Sequence, residues 1–214
     1  MYDALLLDIG FVIIDVTWTA VDAYEKAMGT VPRGREPADR DADARWRAYL
    51  AGVITPDQYW GEVAKSRGLD GMSDLLRALA EVVPNEMFDR AAVALMRDAR
   101  EAPRRVGVLS NEAYSFMGRD FFARRPEFTE LDAFVDATEL GARKPAPEAY
   151  LAAAGALAVG PESVVFLDDT AECVEGARRV GMHGIRVDPF DRTPAFARAR
   201  TLLGLAPWPR QRAL

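Results

Sequence analysis

The sequence predicts an α/β protein, in which a parallel β-sheet is covered by helices and interrupted near its start by a helical insert. Two features of the 214-residue chain lead to this prediction. In the C-terminal half, short apolar runs alternate with amphipathic segments, as buried parallel strands alternate with crossover helices. The first apolar run is separated from the second by about 95 residues, far more than one crossover helix requires.

Five apolar runs have the length and composition of buried strands. They cover residues 4–7, 105–109, 133–135, 163–167 and 184–187. Amphipathic helices are predicted between the later runs, over residues 112–123, 147–156 and 171–180. Because strands and helices alternate here, the strands are expected to run parallel.

The long first interval contains helix signals and no convincing strand. Thr55, Pro56 and Asp57 form an N-cap, a proline at the first helical position and an early acid, which together predict a helix through Lys65. Further helices are predicted over residues 73–82 and 85–100, and the polar residues 33–43 are expected to form a loop. We therefore expect a core domain of residues 1–14 and 96–214, with a helical insert of residues 15–95.

Composition narrows the functional classes. The formal net charge is −6, whereas a nucleic-acid-binding domain is usually basic. No apolar stretch reaches the roughly 18 residues of a membrane helix, and the N-terminus does not resemble a signal peptide. The single cysteine, Cys173, is compatible with a reducing compartment. We expect a cytoplasmic protein, monomeric or homodimeric, that binds neither nucleic acid nor membrane.

Chemically reactive residues follow four of the predicted strands. They are Asp8 after the first (with Gly10 two residues later), Ser110 and Asn111 after the second, Lys144 after the third, and Asp168 and Asp169 after the fourth. In an open parallel sheet, ligands bind beyond the carboxyl ends of the strands. The four clusters are therefore expected to face one crevice.

Each cluster alone also has an ordinary structural explanation. An aspartate after a strand often caps a turn or helix, Ser-Asn is a common capping sequence, and a loop lysine is usually solvated. The pair Asp168 and Asp169 is harder to explain this way, because adjacent acids after a buried strand repel each other. Their joint occurrence with the other clusters, in order along the chain, favours an active site.

The charges predict a divalent cation. At a separation of 4 Å and an effective dielectric constant of 20, two like charges repel by about 4 kcal/mol. Asp8, Asp168 and Asp169 would therefore repel one another more strongly than one lysine could offset. Oxygen ligands with room for water and substrate favour Mg²⁺.

Four short motifs occur in order along the chain: Asp-x-x-x-Val, Ser-Asn, Gly-x-x-Lys-Pro-x-Pro-x-x-Tyr and Phe-Leu-Asp-Asp. Together they resemble the four motifs of the haloacid dehalogenase-like (HAD) superfamily. The resemblance extends from Tyr2 to about Val187. It implies a Rossmann-like core, and the helical insert resembles the family's C1-type cap. The resemblance therefore implies a hydrolase, most simply a Mg²⁺-dependent phosphatase of small phosphorylated metabolites.

The resemblance also implies roles for individual residues. Asp8 is the expected nucleophile, which forms an aspartyl-phosphate intermediate. Ser110, helped by Asn111, would bind a phosphoryl oxygen, and Lys144 would bridge the nucleophile and the phosphoryl group. The expected metal ligands are Asp8, the backbone carbonyl of Gly10 and Asp169, with Asp168 supporting them.

Gly10 departs from the family pattern. The family's phosphatases usually carry a second aspartate here as general acid and base, a role typically worth about 10²–10⁴-fold in rate. The substrate could have a leaving group that needs little protonation, another group such as Asp15 or Thr17 could serve, or turnover could be lost. Asp15 and Thr17 also have an ordinary explanation as caps of the helix starting near Trp18.

Two alternative functions remain open. Dehalogenases of this superfamily also lack the second aspartate and attack carbon with the same nucleophile, but their fourth motif carries serine and asparagine instead of paired acids. A non-catalytic member that binds phosphorylated ligands is the other alternative. Magnesium dependence distinguishes the phosphatase from the dehalogenase.

Overall fold

The computed structural model describes residues 1–30, 43–51 and 53–208. The chain divides into two compact units. One unit comprises Met1–Ile14 and Asp89–Leu214, and it contains the whole described sheet. The other, Asp15–Phe88, interrupts it in sequence.

The sheet consists of five parallel strands in the order β3-β2-β1-β4-β5. The strands are β1 (Ala4–Leu7), β2 (Arg105–Ser110), β3 (Ala133–Asp136), β4 (Val164–Asp168) and β5 (His183–Arg186). All residues of β1 and β4 are buried, as expected of central strands covered on both faces. The predicted α/β class with a parallel sheet is confirmed.

The register of the sheet brings the strand ends together. Leu7, the last residue of β1, lies opposite Val108 in β2 and Leu167 in β4. The next residues after Leu7 and Leu167 are Asp8 and Asp168, which therefore lie side by side at this edge of the sheet. The strand order reverses between β1 and β4, and such switch points are where open α/β sheets bind ligands.

The Asp15–Phe88 unit is helical in its described residues. Its α-helices are α1 (Trp18–Ala27), α2 (Ala44–Leu50), α3 (Pro56–Lys65) and α4 (Met72–Val82), followed by a 3-10 turn at Pro84–Met87. The predicted start of α3 is confirmed, since Thr55 and Gln58 form a reciprocal capping box. Thr17, one of the candidate replacements for the missing acid, caps α1 by accepting a hydrogen bond from the Ala20 N–H at 3.0 Å. The predicted loop 33–43 lies, except for Asp43, outside the described residues.

An aromatic cluster and a buried ion pair hold this helical unit together. The rings of Tyr49 and Tyr59 stack at 5.1 Å, and Trp60 meets Tyr59 edge-on at 5.1 Å. Arg67 pairs with Glu25 at 3.1 Å, and both side chains are buried. No helix in the described part of the chain is both long and apolar enough to cross a membrane.

The remaining helices belong to the unit that contains the sheet. They are α5 (Arg90–Glu101), α6 (Ala113–Met117), α7 (Arg119–Ala123), α8 (Pro126–Thr129), α9 (Ala137–Leu140), α10 (Pro147–Ala156), α11 (Ala171–Arg179) and α12 (Thr193–Leu203). The apolar face of α5 packs against β2 and α12. Helix α12 lies beyond the segments that the sequence patterns predict.

Two helices differ from the sequence-based expectation. The helix predicted over residues 112–123 is divided into α6 and α7 at Gly118, whose φ of 76° lies in the left-handed region that favours glycine. The helix predicted over residues 85–100 begins only at Arg90, because the Asp89 side chain caps it by accepting from the N–H groups of Ala91 and Ala92. The expected end of the insert at residue 95 falls inside α5, which belongs to the sheet-containing unit.

Candidate active site

Three carboxylates converge at the carboxyl ends of β1 and β4. Asp8 follows β1, Asp168 is the last residue of β4, and Asp169 comes next. One oxygen from each lies within 4.8 Å of the others. The side chain of Asp168 is only 1% exposed and that of Asp8 is 14% exposed. This proximity follows from the pairing of β1 with β4, although about 160 residues separate the acids in sequence.

Lys144 lies within hydrogen-bonding distance of two of these acids. Its Nζ donates to Asp8 Oδ1 and to Asp168 Oδ2, each at 2.7 Å, and its side chain is 3% exposed. Burial alone would lower the pKa of this amine, but the charges of Asp8 and Asp168 outweigh it, and the pKa lies above its ordinary value. Lys144 is therefore a cation fixed between two carboxylates.

One ammonium group does not balance three carboxylates. Burial, followed by the charges of Asp8 and Asp168, raises the pKa of Asp169 to about 7. The pKa of Asp168 is also raised, by burial and by Asp8, although Lys144 and the Thr170 N–H oppose this. Burial is the larger cause of both shifts and the neighbouring carboxylates add to it, so a cation bound here would stabilise the ionised acids.

The donor set fits a hard divalent cation. Oxygens bound to one Mg²⁺ at about 2.1 Å lie roughly 3 to 4.2 Å apart, and the three carboxylates reach nearly this spacing. All three donors are oxygens, with no histidine or cysteine in the group, as Mg²⁺ prefers.

Gly10 is exposed and follows Asp8 and Ile9 after β1. A Cβ atom at this position would meet Asp8 Oδ2 at 3.9 Å, which is an ordinary contact. The glycine is therefore not required by lack of space. The residue that follows, Phe11, has a φ of 55°, an unusual conformation for a bulky side chain.

Ser110 and Asn111 lie at the end of β2 and make different contacts. Ser110 Oγ accepts from the Ala113 N–H at 3.1 Å, which leaves its hydroxyl proton able to donate to an anion. Asn111 binds the backbone of Lys144 through both ends of its side-chain amide. The structure thus links Asn111 to the lysine loop, which we define as residues 141–146 between α9 and α10.

Two arginines near the site were missed by the sequence analysis. Arg186 Nε donates to the backbone oxygen of Asp169 at 3.2 Å, and Arg192 Nε donates to the backbone oxygen of Phe11 at 2.9 Å. Arg186 is the last residue of β5, so the carboxyl end of the fifth predicted strand was the available signal for it, whereas Arg192 lies directly before α12. Their targets are backbone carbonyls, which no sequence pattern marks.

A cluster of acids and a lysine at the switch point of an open parallel sheet is typical of the active sites of α/β enzymes. A family model described as haloacid dehalogenase-like hydrolase matches residues 3–181. The chain therefore belongs to the haloacid dehalogenase-like hydrolases, and the resemblance noted in its motifs is confirmed.

Several known proteins resemble the chain along most of its length. The protein named Phosphatase MT3486, from Mycobacterium tuberculosis, is 28% identical over 199 residues, which cover 89% of each chain. A HAD phosphatase structure from Thermococcus onnurineus has a TM-score of 0.57 at 19% identity and covers 94% of this chain and 98% of its own. A HAD family enzyme from Bacteroides thetaiotaomicron, solved with magnesium and inorganic phosphate, has a TM-score of 0.51 at 18% identity, with coverage of 89% and 96%. These two structures support the fold.

Proposed function

We propose that the protein is a Mg²⁺-dependent phosphatase of small phosphorylated metabolites, with Asp8 as its nucleophile. The observation that carries the proposal is the buried cluster in which Lys144 binds Asp8 and Asp168 at 2.7 Å each, beside Asp169. Such a cluster can accept a phosphate dianion only if further positive charge is present. The name of the Mycobacterium relative, Phosphatase MT3486, agrees with this activity.

The first half-reaction transfers the phosphoryl group to Asp8. A carboxylate oxygen of Asp8 attacks phosphorus, the bond to the leaving-group oxygen breaks, and an aspartyl phosphate forms. Lys144 neutralises charge on the nucleophile and on the phosphoryl oxygens, and the Ser110 hydroxyl donates to one of those oxygens. Phosphoryl transfer depends mainly on such positioning and neutralisation.

The second half-reaction regenerates the enzyme. Water attacks the aspartyl phosphate, the phosphorus bond to Asp8 breaks, and inorganic phosphate leaves. We assign Asp8, Asp169 and the Gly10 carbonyl as the residues that would hold Mg²⁺, with Asp168 in support. The ion would supply the positive charge that Lys144 alone lacks.

Gly10 limits the phosphate compounds that this site can hydrolyse rapidly. Without an acid at this position, a poor leaving group such as an alkoxide departs unprotonated and slowly. Acyl and anomeric phosphates, whose leaving groups need little protonation, are therefore the favoured substrates. In the same proposal the helical unit acts as a C1-type cap that selects among them, and the enzyme works in the cytoplasm as a monomer or homodimer.

A screen of phosphorylated metabolites with Mg²⁺ tests the proposal. Phosphate release is measured for the wild type, for Asp8→Asn and for Asp169→Asn. We expect Asp8→Asn to lose at least about 10³-fold, because an amide is not a nucleophile at phosphorus. Activity that survives this substitution would exclude Asp8 as the nucleophile.

The dehalogenase alternative is supported by Gly10 and opposed by the paired acids. A carbon–halogen displacement needs no metal, whereas Asp168 and Asp169 add negative charge next to the nucleophile. Halide release from 2-haloacids in the presence of a chelator would favour this alternative. Binding of a phosphate-analogue metal fluoride at Asp8 without hydrolysis of any substrate would favour a non-catalytic member.

A further inference from the structure

We propose that Asn111 is a positioning residue that holds Lys144 in place, and that it is not a phosphate ligand. The proposal rests on the phosphatase function only in its kinetic consequence, because the contacts themselves involve no substrate. It replaces the expectation that Asn111 assists Ser110 in binding a phosphoryl oxygen.

The Asn111 side chain binds both peptide groups of one residue. Its Nδ2 donates to the backbone oxygen of Lys144 at 3.1 Å, and its Oδ1 accepts from the backbone N–H of Lys144 at 2.8 Å. An asparagine amide has one acceptor oxygen and two N–H donors. The oxygen and one donor are thus engaged by Lys144, and only one N–H is left for any other partner.

Lys144 has little other backbone support. It lies between α9 and α10, in a segment without helix or strand. The backbone–backbone hydrogen bonds of the described loops and turns do not include its N–H or its carbonyl. Buried peptide groups require partners, and Asn111 supplies both, as a neighbouring β-strand would. The end of β2 is thereby joined to the lysine loop.

Lys144 needs this backbone support because its ammonium group pairs with two carboxylates at once. Nζ is 2.7 Å from Asp8 Oδ1 and 2.7 Å from Asp168 Oδ2 at the same time. A lysine side chain is flexible, so a shift of its backbone would let Nζ pair with one acid and leave the other. A misplacement of about 1 Å at a reacting centre can lower the rate about 10²-fold.

The adjacent pair of residues provides a matched control. Glu112 and Arg143 connect the same two segments through an ion pair of 2.7 Å, with side chains 42% and 54% exposed. Exposed ion pairs of this kind contribute little to stability. Glu112→Ala therefore removes a contact between the two segments without touching the hydrogen bonds of the Lys144 backbone.

The composition of the chain allows a direct test on the metal-free protein. The chain has three lysines, of which Lys26 and Lys65 are exposed while the Lys144 side chain is 3% exposed. Acetylation rates at each lysine are measured by peptide mapping. Because Asn111→Ala removes two hydrogen bonds, we expect Lys144 to react about 10-fold faster or more, with Lys26 and Lys65 unchanged as internal standards.

Two further variants keep the test decisive. Glu112→Ala is expected to leave Lys144 as protected as in the wild type. Asn111→Asp retains the acceptor oxygen but turns a second oxygen towards the Lys144 carbonyl, which it repels, so we expect acetylation faster than in the wild type. This variant replaces Asn111→Ala in the test if circular dichroism shows that Asn111→Ala does not fold. Unchanged protection of Lys144 in the folded Asn111 variants would overturn the proposal.

Kinetics with a phosphate monoester and Mg²⁺ give a second measurement. For Asn111→Ala we expect kcat to fall about 10²-fold, with little change in KM or in inhibition by inorganic phosphate. Weakened phosphate inhibition with Lys144 still protected would instead identify Asn111 as a phosphate ligand. If no phosphatase activity is found in any protein, the acetylation rates still decide whether Asn111 positions Lys144.

Discussion

The chemical consequence of having glycine at position 10, the lack of a general acid, can be tested with a single substitution. A Cβ at Gly10 would stand 3.9 Å from Asp8 Oδ2, so a longer side chain can be introduced beside the nucleophile without a clash at its first carbon. A carboxyl group there would lie near the leaving-group oxygen of a phosphoryl group attacked by Asp8. General acid catalysis is the step that the proposed enzyme lacks at this position.

We predict that Gly10→Asp increases turnover of phosphate esters with poor leaving groups. An added general acid is worth up to about 10²–10⁴-fold, and we expect at least about 10-fold for an alkyl phosphate, with a smaller gain for an acyl phosphate. Rates of phosphate release from the two substrates measure the difference. Gly10→Ala is the control, and equal rates for the two variants would contradict the prediction.

At the scale of secondary-structure elements, a partly buried ion pair joins α5 to α12. Arg200 Nη1 donates to Asp98 Oδ2 at 2.6 Å, and the Arg200 side chain is buried. Burial would raise the pKa of Asp98, but the hydrogen bonds from Arg200 and then from Arg97 outweigh it, and the pKa is lowered. A carboxyl whose pKa is lowered on folding stabilises the fold where it is ionised and loses that contribution as pH falls.

We predict that Asp98→Asn lowers the free energy of unfolding at pH 7 by about 1–2 kcal/mol, since a charge-assisted hydrogen bond is replaced by a neutral one. The difference from the wild type should be present above the ordinary pKa near 3.8. It should shrink as pH falls below that value, because the wild-type carboxyl takes up a proton first in the unfolded chain and then, at lower pH, in the folded one. Urea unfolding at several pH values measures this.

Arg97→Ala provides the comparison, because Arg97 contacts the same carboxylate through a side chain that is 60% exposed. Exposed pairs contribute roughly 0–1 kcal/mol, so we expect a smaller loss. An Asp98→Asn difference that stays constant down to pH 2 would show that the ion pair is not its cause.

At the scale of the whole molecule, the acidic cluster is expected to couple metal binding to folding. The ligands come from the ends of β1 and β4, so the site exists only when these strands are paired. A cation that binds only the folded chain stabilises it, by about 1.4 kcal/mol at ten times its Kd.

We predict that Mg²⁺ raises the Tm of the wild-type protein and that a chelator reverses the increase. Asp169→Asn should abolish most of the increase, since it removes one ligand and one of the repelling charges. It should also raise the Tm of the metal-free protein, because the pKa of Asp169 is raised by burial and by the neighbouring acids. Differential scanning calorimetry with and without Mg²⁺ tests both parts; an Mg²⁺ response unaffected by Asp169→Asn would place the ion elsewhere.

The sequence by itself determined the parallel α/β class and the residues that converge at the strand ends. Buried parallel strands require continuous apolar runs, which are local in sequence, and reactive residues after such runs must emerge at one edge of the sheet. The start of α3 was equally predictable, because Thr55, Pro56 and Asp57 mark it locally in the sequence.

Tertiary structure alone decided the contacts that give these residues their surroundings. Three of these contacts and breaks have no periodic signal in the sequence. The predicted 112–123 helix is divided at Gly118, and Asn111 binds the Lys144 backbone. Arg192 and Arg186 bind the backbone carbonyls of Phe11 and Asp169. Backbone carbonyls are present at every residue, so a side chain's choice among them depends on which segments the folded chain brings together. The type of chemistry is thus a property of local sequence, whereas the positioning of its groups depends on contacts between distant segments.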